Sequence, residues 1–161
     1  MKKNAGFTLV EMVVVVAIIA VLAAVAVPAY MSYIPKYRLN SASQELQGDT
    51  QMAKLQAVKN GVVVTIGFNV AGDTYEMFYD DGAGANAGNG IKNDDEQGIK
   101  TVAMPQGINI TGTTFPNNAI RFNSRGLPVS FTAGTVTMQN QNGQTRILSL
   151  DTAGSASIAQ S

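Results

Sequence analysis

The 161-residue chain contains no cysteine and no histidine. Without cysteine there is no disulfide framework, and the sequence carries no mark of its redox compartment. With both residue types missing, the usual zinc ligands are absent as well. The same gap removes the common general base and the thiol nucleophile. Neither a G-x-S-x-G elbow nor a phosphate-cradling loop stands in for them. A carboxylate pair can hydrolyse a glycosidic bond, but the acidic residues crowd into one Gly/Asn-rich loop. Aromatic residues, at 7%, offer little surface to hold a sugar. The expectation is a protein that is not an enzyme. Charge of one sign is also missing: 11 basic side chains balance 11 acidic ones. Counterion release from nucleic acid needs a clustered basic surface, and only short-range patches could supply one here.

What the chain does have is a long apolar run near its start. Phe7 to Val27 is apolar except for Thr8 and Glu11. As a helix this stretch spans about 31 Å, close to the roughly 30 Å hydrocarbon core of a bilayer. Lys2 and Lys3 precede it, so the positive-inside rule keeps the N-terminus cytoplasmic and sends the rest across the membrane. A secretory signal peptide, with Ala24-Val25-Ala26 as a cleavage site, and a plain membrane anchor both fit this pattern. Neither explains Glu11, because an isolated charge within a membrane helix costs roughly 2.5–3.5 kcal/mol even on insertion scales. A cut after Gly6 does explain it. The new terminal amine of Phe7 is largely protonated at neutral pH. A neighbouring subunit shifted along a common axis can then present Glu11 to that ammonium, and the pair fixes the register of packed helices.

The run "GFTLVEM", with its short basic leader and following apolar helix, resembles the class III signal of type IV pilins and type II secretion pseudopilins. The resemblance implies that a prepilin peptidase cuts between Gly6 and Phe7 and N-methylates Phe7, a modification that keeps the charge. It also implies assembly through Phe7, Glu11 and Pro28, since pilin helices often carry a proline at that place. Physically, Pro28 deletes the hydrogen bond to the Ala24 carbonyl, and Pro35 does the same at Met31. One bent helix or two helices separated near these prolines are both open, with one preferred.

The resulting division is a leader at 1–6, a transmembrane and assembly helix at 7–29, an amphipathic half at 30–60 and a β-rich globular domain at 61–161. In the amphipathic half, Leu39, Ala42, Leu46, Ala53 and Ala57 repeat near 3.6 residues, widened by Met52, Leu55 and Val58. Asp49 or Thr50 interrupts that stripe. Gly61 suits the left-handed position that ends a helix. A continuous helix from Phe7 to Asn60 would be about 80 Å long. Beyond it the period changes to two. Strand-like runs fall at Val62–Asn69, Thr74–Asp80, Ile99–Met104, Ile108–Thr111, Ala119–Asn123, Pro128–Thr132, Thr135–Asn140, Thr145–Leu150 and Ser155–Ala159, separated by turn residues. The fold class is α+β, with antiparallel sheets packed on the helix stripe. "AVKNGVVVTIGF", the many short strands and "IRFNSRGLP" together look like the GspH/FimT-type minor pseudopilins and minor pilins. That implies a structural subunit of a type II secretion pseudopilus or a type IV pilus. Its partners would be other pilins or pseudopilins, the prepilin peptidase, the inner-membrane assembly platform and, before assembly, membrane lipid. It would sit in the bacterial inner membrane with a periplasmic globular domain, and later in a periplasmic pseudopilus or surface pilus. The rival from another class is a membrane-anchored surface module that recognises DNA, carbohydrate or secreted substrate.

Two groups of residues suggest ligands. Asp80, Asp81, Asn89, Asp94, Asp95 and Glu96 supply hard oxygens in a glycine-rich stretch and form a calcium candidate. With Gly90 as the turn glycine of an EF-hand loop, Glu96 takes the bidentate place, but Ala85 and Ala87 fall where ligands belong. A flexible hydrophilic hairpin insertion explains the same residues. Some members of the resembled family bind DNA through arginines near the C-terminus. This chain has no basic residue after Arg146, so the resemblance does not carry nucleic-acid binding over. Lys36 and Arg38, just past the apolar run, suit lipid headgroups or a neighbouring subunit.

Overall fold

The computed structural model describes residues 7–82, 84 and 87–160. One α-helix, α1, covers Leu9–Asn60 and passes through both Pro28 and Pro35, so the single-helix expectation holds. The chain divides into two units, one ending at Ile34 and one beginning at Pro35. In the first unit the helix is apolar all round, and the side chains from Phe7 to Tyr33 are exposed. Its window of highest hydropathy is long and apolar enough to cross a membrane.

The second unit begins with the other half of α1 and adds eight strands. Its buried helix positions are Pro35, Leu39, Ala42, Ser43, Leu46, Asp49, Thr50, Ala53 and Ala57. This stripe is narrower than the sequence suggested. Leu55 is 70% exposed and Val58 52% exposed. At about 100° per residue, Leu55 points some 200° away from Ala53, so it cannot share the buried face. The polar interruption at Asp49 and Thr50 is part of the core instead. Gly61, at φ 70°, closes the helix and donates its N–H to the Ala57 carbonyl at 3.0 Å, as its position predicts.

The strands are β1 Val64–Asn69, β2 Thr74–Tyr79, β3 Gly98–Ala103, β4 Ile108–Thr113, β5 Ala119–Phe122, β6 Gly134–Asn140, β7 Thr145–Leu150 and β8 Ala156–Gln160. They form two four-stranded sheets, ordered β3-β2-β1-β5 and β4-β6-β7-β8, with every pairing antiparallel. Alternation decides which face is buried. Val64, Ile66 and Phe68 from β1, with Tyr75 and Met77 from β2, join the helix stripe. Ile108, Ile110, Val136, Met138, Leu148 and Leu150 of the second sheet join the same core. Two glycines are needed where they stand. One is Gly61 at the helix end. The other is Gly134, where a Cβ would meet the Phe115 ring at 2.7 Å.

One expected strand is absent. Pro128–Thr132 contains a 3-10 turn over Val129–Phe131, with Ser130 and Phe131 at positive φ and only a lone bridge from Pro128 to Phe122. Pro128 has no N–H to donate to a ladder, which favours a turn over a strand here.

A polar cluster fixes the helix to the first sheet. The Tyr75 hydroxyl donates to Asp49 Oδ2 at 2.6 Å, and Lys100 Nζ donates to both Asp49 oxygens at 2.8 and 2.9 Å and to Glu45 at 3.0 Å. Burial, with the adjoining Asp49 carboxylate, pushes the Tyr75 phenol well above its ordinary range. The hydrogen bond to Asp49 raises Lys100 as well. Both folded values are raised, so their contribution to stability is complete below about pH 10 and fades as pH climbs beyond it. Urea unfolding in detergent should therefore show midpoints that are flat in this respect from neutral pH to about 10 and falling above it, with a shallower fall in Tyr75→Phe. Asp49→Ala strands a buried phenol and should cost about 2–3 kcal/mol, whereas Glu45→Ala, in a largely exposed pair, should cost under about 1 kcal/mol. Equal losses would contradict this ranking.

Candidate functional site

The apolar arm begins with a capping box. Thr8 Oγ1 accepts the Glu11 N–H at 3.2 Å, while Glu11 Oε2 accepts the Thr8 N–H at 2.8 Å and its hydroxyl at 2.9 Å. The spacing Thr8-x-x-Glu11 is the signature of such a start, and sequence reasoning that treated Glu11 purely as an intersubunit charge missed it. Within one chain the carboxylate is thus satisfied locally and sits in the first turn of α1, where negative charge is favoured. It remains fully exposed. Phe7, the residue before Thr8, is 84% exposed. Pro28 is an exposed member of the helix. Gly6 and the rest of the leader lie outside the described residues.

The acidic loop is held by hydrogen bonds to two carboxylates. Asp80, only 1% exposed, accepts the Thr65 hydroxyl at 2.7 Å, the Asn89 N–H at 3.0 Å and the Gly90 N–H at 2.8 Å. Glu96 accepts the N–H groups of Asn93 at 2.8 Å and Gly82 at 3.3 Å. Arg121 of β5 reaches across to the Gly88 carbonyl at 2.6 Å. The loop therefore folds over the outer face of the first sheet and covers Phe78, which is 1% exposed. Asp81, Asp94 and Asp95 are exposed, and Asn89 turns its side chain to the Ile91 N–H. Among the described residues, no group of three or more acidic side chains is gathered where it could hold a metal. Asn86, Ala83 and Ala85 lie outside the described residues. The link from Thr65 and Arg121 to this loop has no local sequence signal, because the partners are many residues distant.

Four further cations lie on α1 and in the turn after β5. Arg125 is exposed in the turn after β5, and Lys54 donates to the Gly154 carbonyl at 3.3 Å. Arg38 donates to the Gln106 carbonyl at 2.9 Å, and Lys36 is exposed.

A helix with an apolar exposed first half, whose second half lies on antiparallel sheets, defines a pilin-type subunit. The chain belongs to the family described as Type II transport protein GspH, whose pattern it matches over residues 42–154. Residues 1–27 match the prokaryotic N-terminal methylation motif. The solved structures that share the fold include two kinds of subunit. One is the minor pseudopilin EpsH from the type 2 secretion system of Vibrio cholerae, at 12% identity and a TM-score of 0.56, covering 76% of this chain and 97% of that one. The other is the type IV minor pilin FimU of Pseudomonas aeruginosa, at 18% identity and a TM-score of 0.58, covering 79% and 92%. Among curated protein sequences none matches significantly. The chain is a structural subunit of a pseudopilus or pilus, anchored by its apolar helix and assembled with other pilin-type subunits.

Asp80→Ala removes the acceptor for two backbone N–H groups and a buried hydroxyl. It should lower stability by about 2–3 kcal/mol and speed amide exchange at Asn89 and Gly90, measured by hydrogen exchange. Unchanged exchange there would mean that Asp80 does not hold the loop. A calcium ion bound in the loop would raise Tm with ion concentration, so a calcium titration of Tm decides that expectation.

Proposed function

We propose that the chain is a minor pseudopilin or minor pilin that is processed between Gly6 and Phe7, methylated on the Phe7 amine and drawn from the bilayer into a filament. Before assembly, residues 7–27 span the inner membrane with Lys2 and Lys3 on the cytoplasmic side, and the globular unit faces the periplasm. Prepilin peptidase, the assembly platform and neighbouring pilins are its partners, and it performs no catalysis. The observation that carries this reading is the exposed apolar helical arm with one carboxylate at its first turn. Such a surface needs either lipid or other helices to cover it.

In this reading Glu11 has two successive partners. In the single chain it caps its own helix through Thr8. In the filament it faces the methylated Phe7 ammonium of a neighbour, where the low dielectric strengthens the attraction and penalises an unpaired acid. The two roles separate by substitution. Glu11→Gln can still close a capping box but carries no charge. Glu11→Ala and Glu11→Val lose both functions.

All three variants are expected to insert in the membrane normally and to be processed. All three should fail to enter filaments, read by crosslinking to co-expressed subunits and by recovery of sheared filaments. Assembly of Glu11→Gln at wild-type level, with Glu11→Ala defective, would reduce Glu11 to a helix cap and remove the register role.

A further inference from the structure

One end of the globular unit differs from the rest of its surface in charge. The chain enters this unit at Pro35, and Lys36 and Arg38 follow at once. Arg38 binds the Gln106 carbonyl, which brings the turn before β4 to the helix. The Gln141 N–H then donates to the Gly107 carbonyl at 3.0 Å, adding the β6–β7 turn to the same end. Arg146 stands two residues past that turn, paired across the sheet with Met138 and Gln160. Residues 35–44, 105–109 and 139–146 contain no Asp or Glu. Asp73, whose Oδ1 accepts the Ile110 N–H of β4 at 2.8 Å, is engaged in its own contact. Glu45, further along α1, is paired with Lys100.

Between the two turns lies a polar cleft of about 310 Å³, lined by Gly107, Asn109, Gln139, Asn140, Gln141 and Gly143. Asn140 is committed within it, accepting the N–H groups of Asn142 and Gln144 and donating to Gln144 Oε1. Asn109 and Gln141 are exposed at its rim. None of the three cations lines the cleft, but all three lie at the end of the unit that carries it, and amide N–H groups and cations both suit phosphate oxygens. The tether supplies the occupant: Lys36 follows Val27 by nine residues, about 13 Å of helix. Insertion of the arm therefore leaves Lys36 and Arg38 only a short length of chain from the headgroups.

We propose that Lys36, Arg38, Arg146 and the cleft at the same end dock on the phosphates of an anionic phospholipid surface while the subunit waits in the bilayer. The inference rests on the membrane insertion proposed above. It adds an orientation: the globular unit is held down on the membrane by this end, and extraction must break the contact. At about 1 kcal/mol per cation near an anionic surface, each neutralised side chain should lower the docked-to-undocked ratio about fivefold.

The absence of native cysteine allows a clean test. The full chain carrying Asn142→Cys, in the same turn but outside the cleft lining, is labelled with a fluorophore and reconstituted into phosphatidylcholine vesicles with or without phosphatidylglycerol, with an energy acceptor on a trace lipid headgroup. Ser124→Cys, in the turn after β5, serves as the reference position. Transfer from position 142 is expected to rise when phosphatidylglycerol is present and to fall at high salt, where the Debye length shrinks to about 3 Å. It should also fall stepwise in Lys36→Gln, Arg38→Gln and Arg146→Gln, while position 124 stays unchanged.

Equal transfer in both vesicle types, with insertion verified by alkaline extraction, would overturn the lipid contact and leave the membrane anchoring intact. Failure to insert would overturn the anchoring itself. Transfer that follows protein concentration and ignores lipid charge would assign this face to a second subunit and also refute the proposal.

Discussion

An apolar helical surface cannot remain in water, and among the described residues the side chains of the first half of α1 are exposed. Fully burying a Val, Leu or Ile side chain is worth about 1.5–3 kcal/mol, and the arm exposes a long series of them. Lipid tails meet this need without any register, because they are uniform along the helix. Neighbouring helices of the same kind also meet it, and there the axial offset matters. In the function proposed here, the single carboxylate at the first turn is what distinguishes one offset from another. Everything assigned to this protein as a filament subunit follows from the exchange of one cover for the other.

The second half of the same helix solves a different problem. Its buried stripe, from Leu39 to Ala57, organises two antiparallel sheets into one core. Small residues at Ala42, Ala53 and Ala57 suit close approach of the strands, and Asp49 adds a directional bond to Tyr75 and Lys100. Helix and sheet are thereby fixed in rotation as well as in contact. The acidic loop extends the same logic to the outer face, where Asp80 and Glu96 act as internal acceptors for a glycine-rich backbone that has few side chains of its own to pack.

Much of this was legible in the sequence because it is periodic and local. A membrane-length apolar run marked the first half of α1, the period of 3.6 its second half, the period of two the strands, and Gly61 the boundary between helix and strands. The failures have local causes too. Leu55 and Val58 are apolar but lie off the buried arc, so hydrophobicity alone misplaced them. In Pro128–Thr132, β-prone side chains outweighed a proline that cannot join a ladder. The capping box of Thr8 and Glu11 was readable, yet attention to charge hid it. What could not be read were partners far apart in the chain: Asp49 with Tyr75, Thr65 with Asp80, and Arg121 with Gly88. An interruption such as Asp49 in an apolar stripe signals only that a polar partner exists, not which residue it is.

The central claim is that a new ammonium is created at Phe7 for a carboxylate on an adjoining helix. Mass spectrometry of the mature N-terminal peptide, isolated from membranes of cells expressing the assembly machinery, tests it most directly. The account predicts a peptide that begins at Phe7 and carries one added methyl group. A peptide beginning at Met1, or one starting after Ala26, would contradict it.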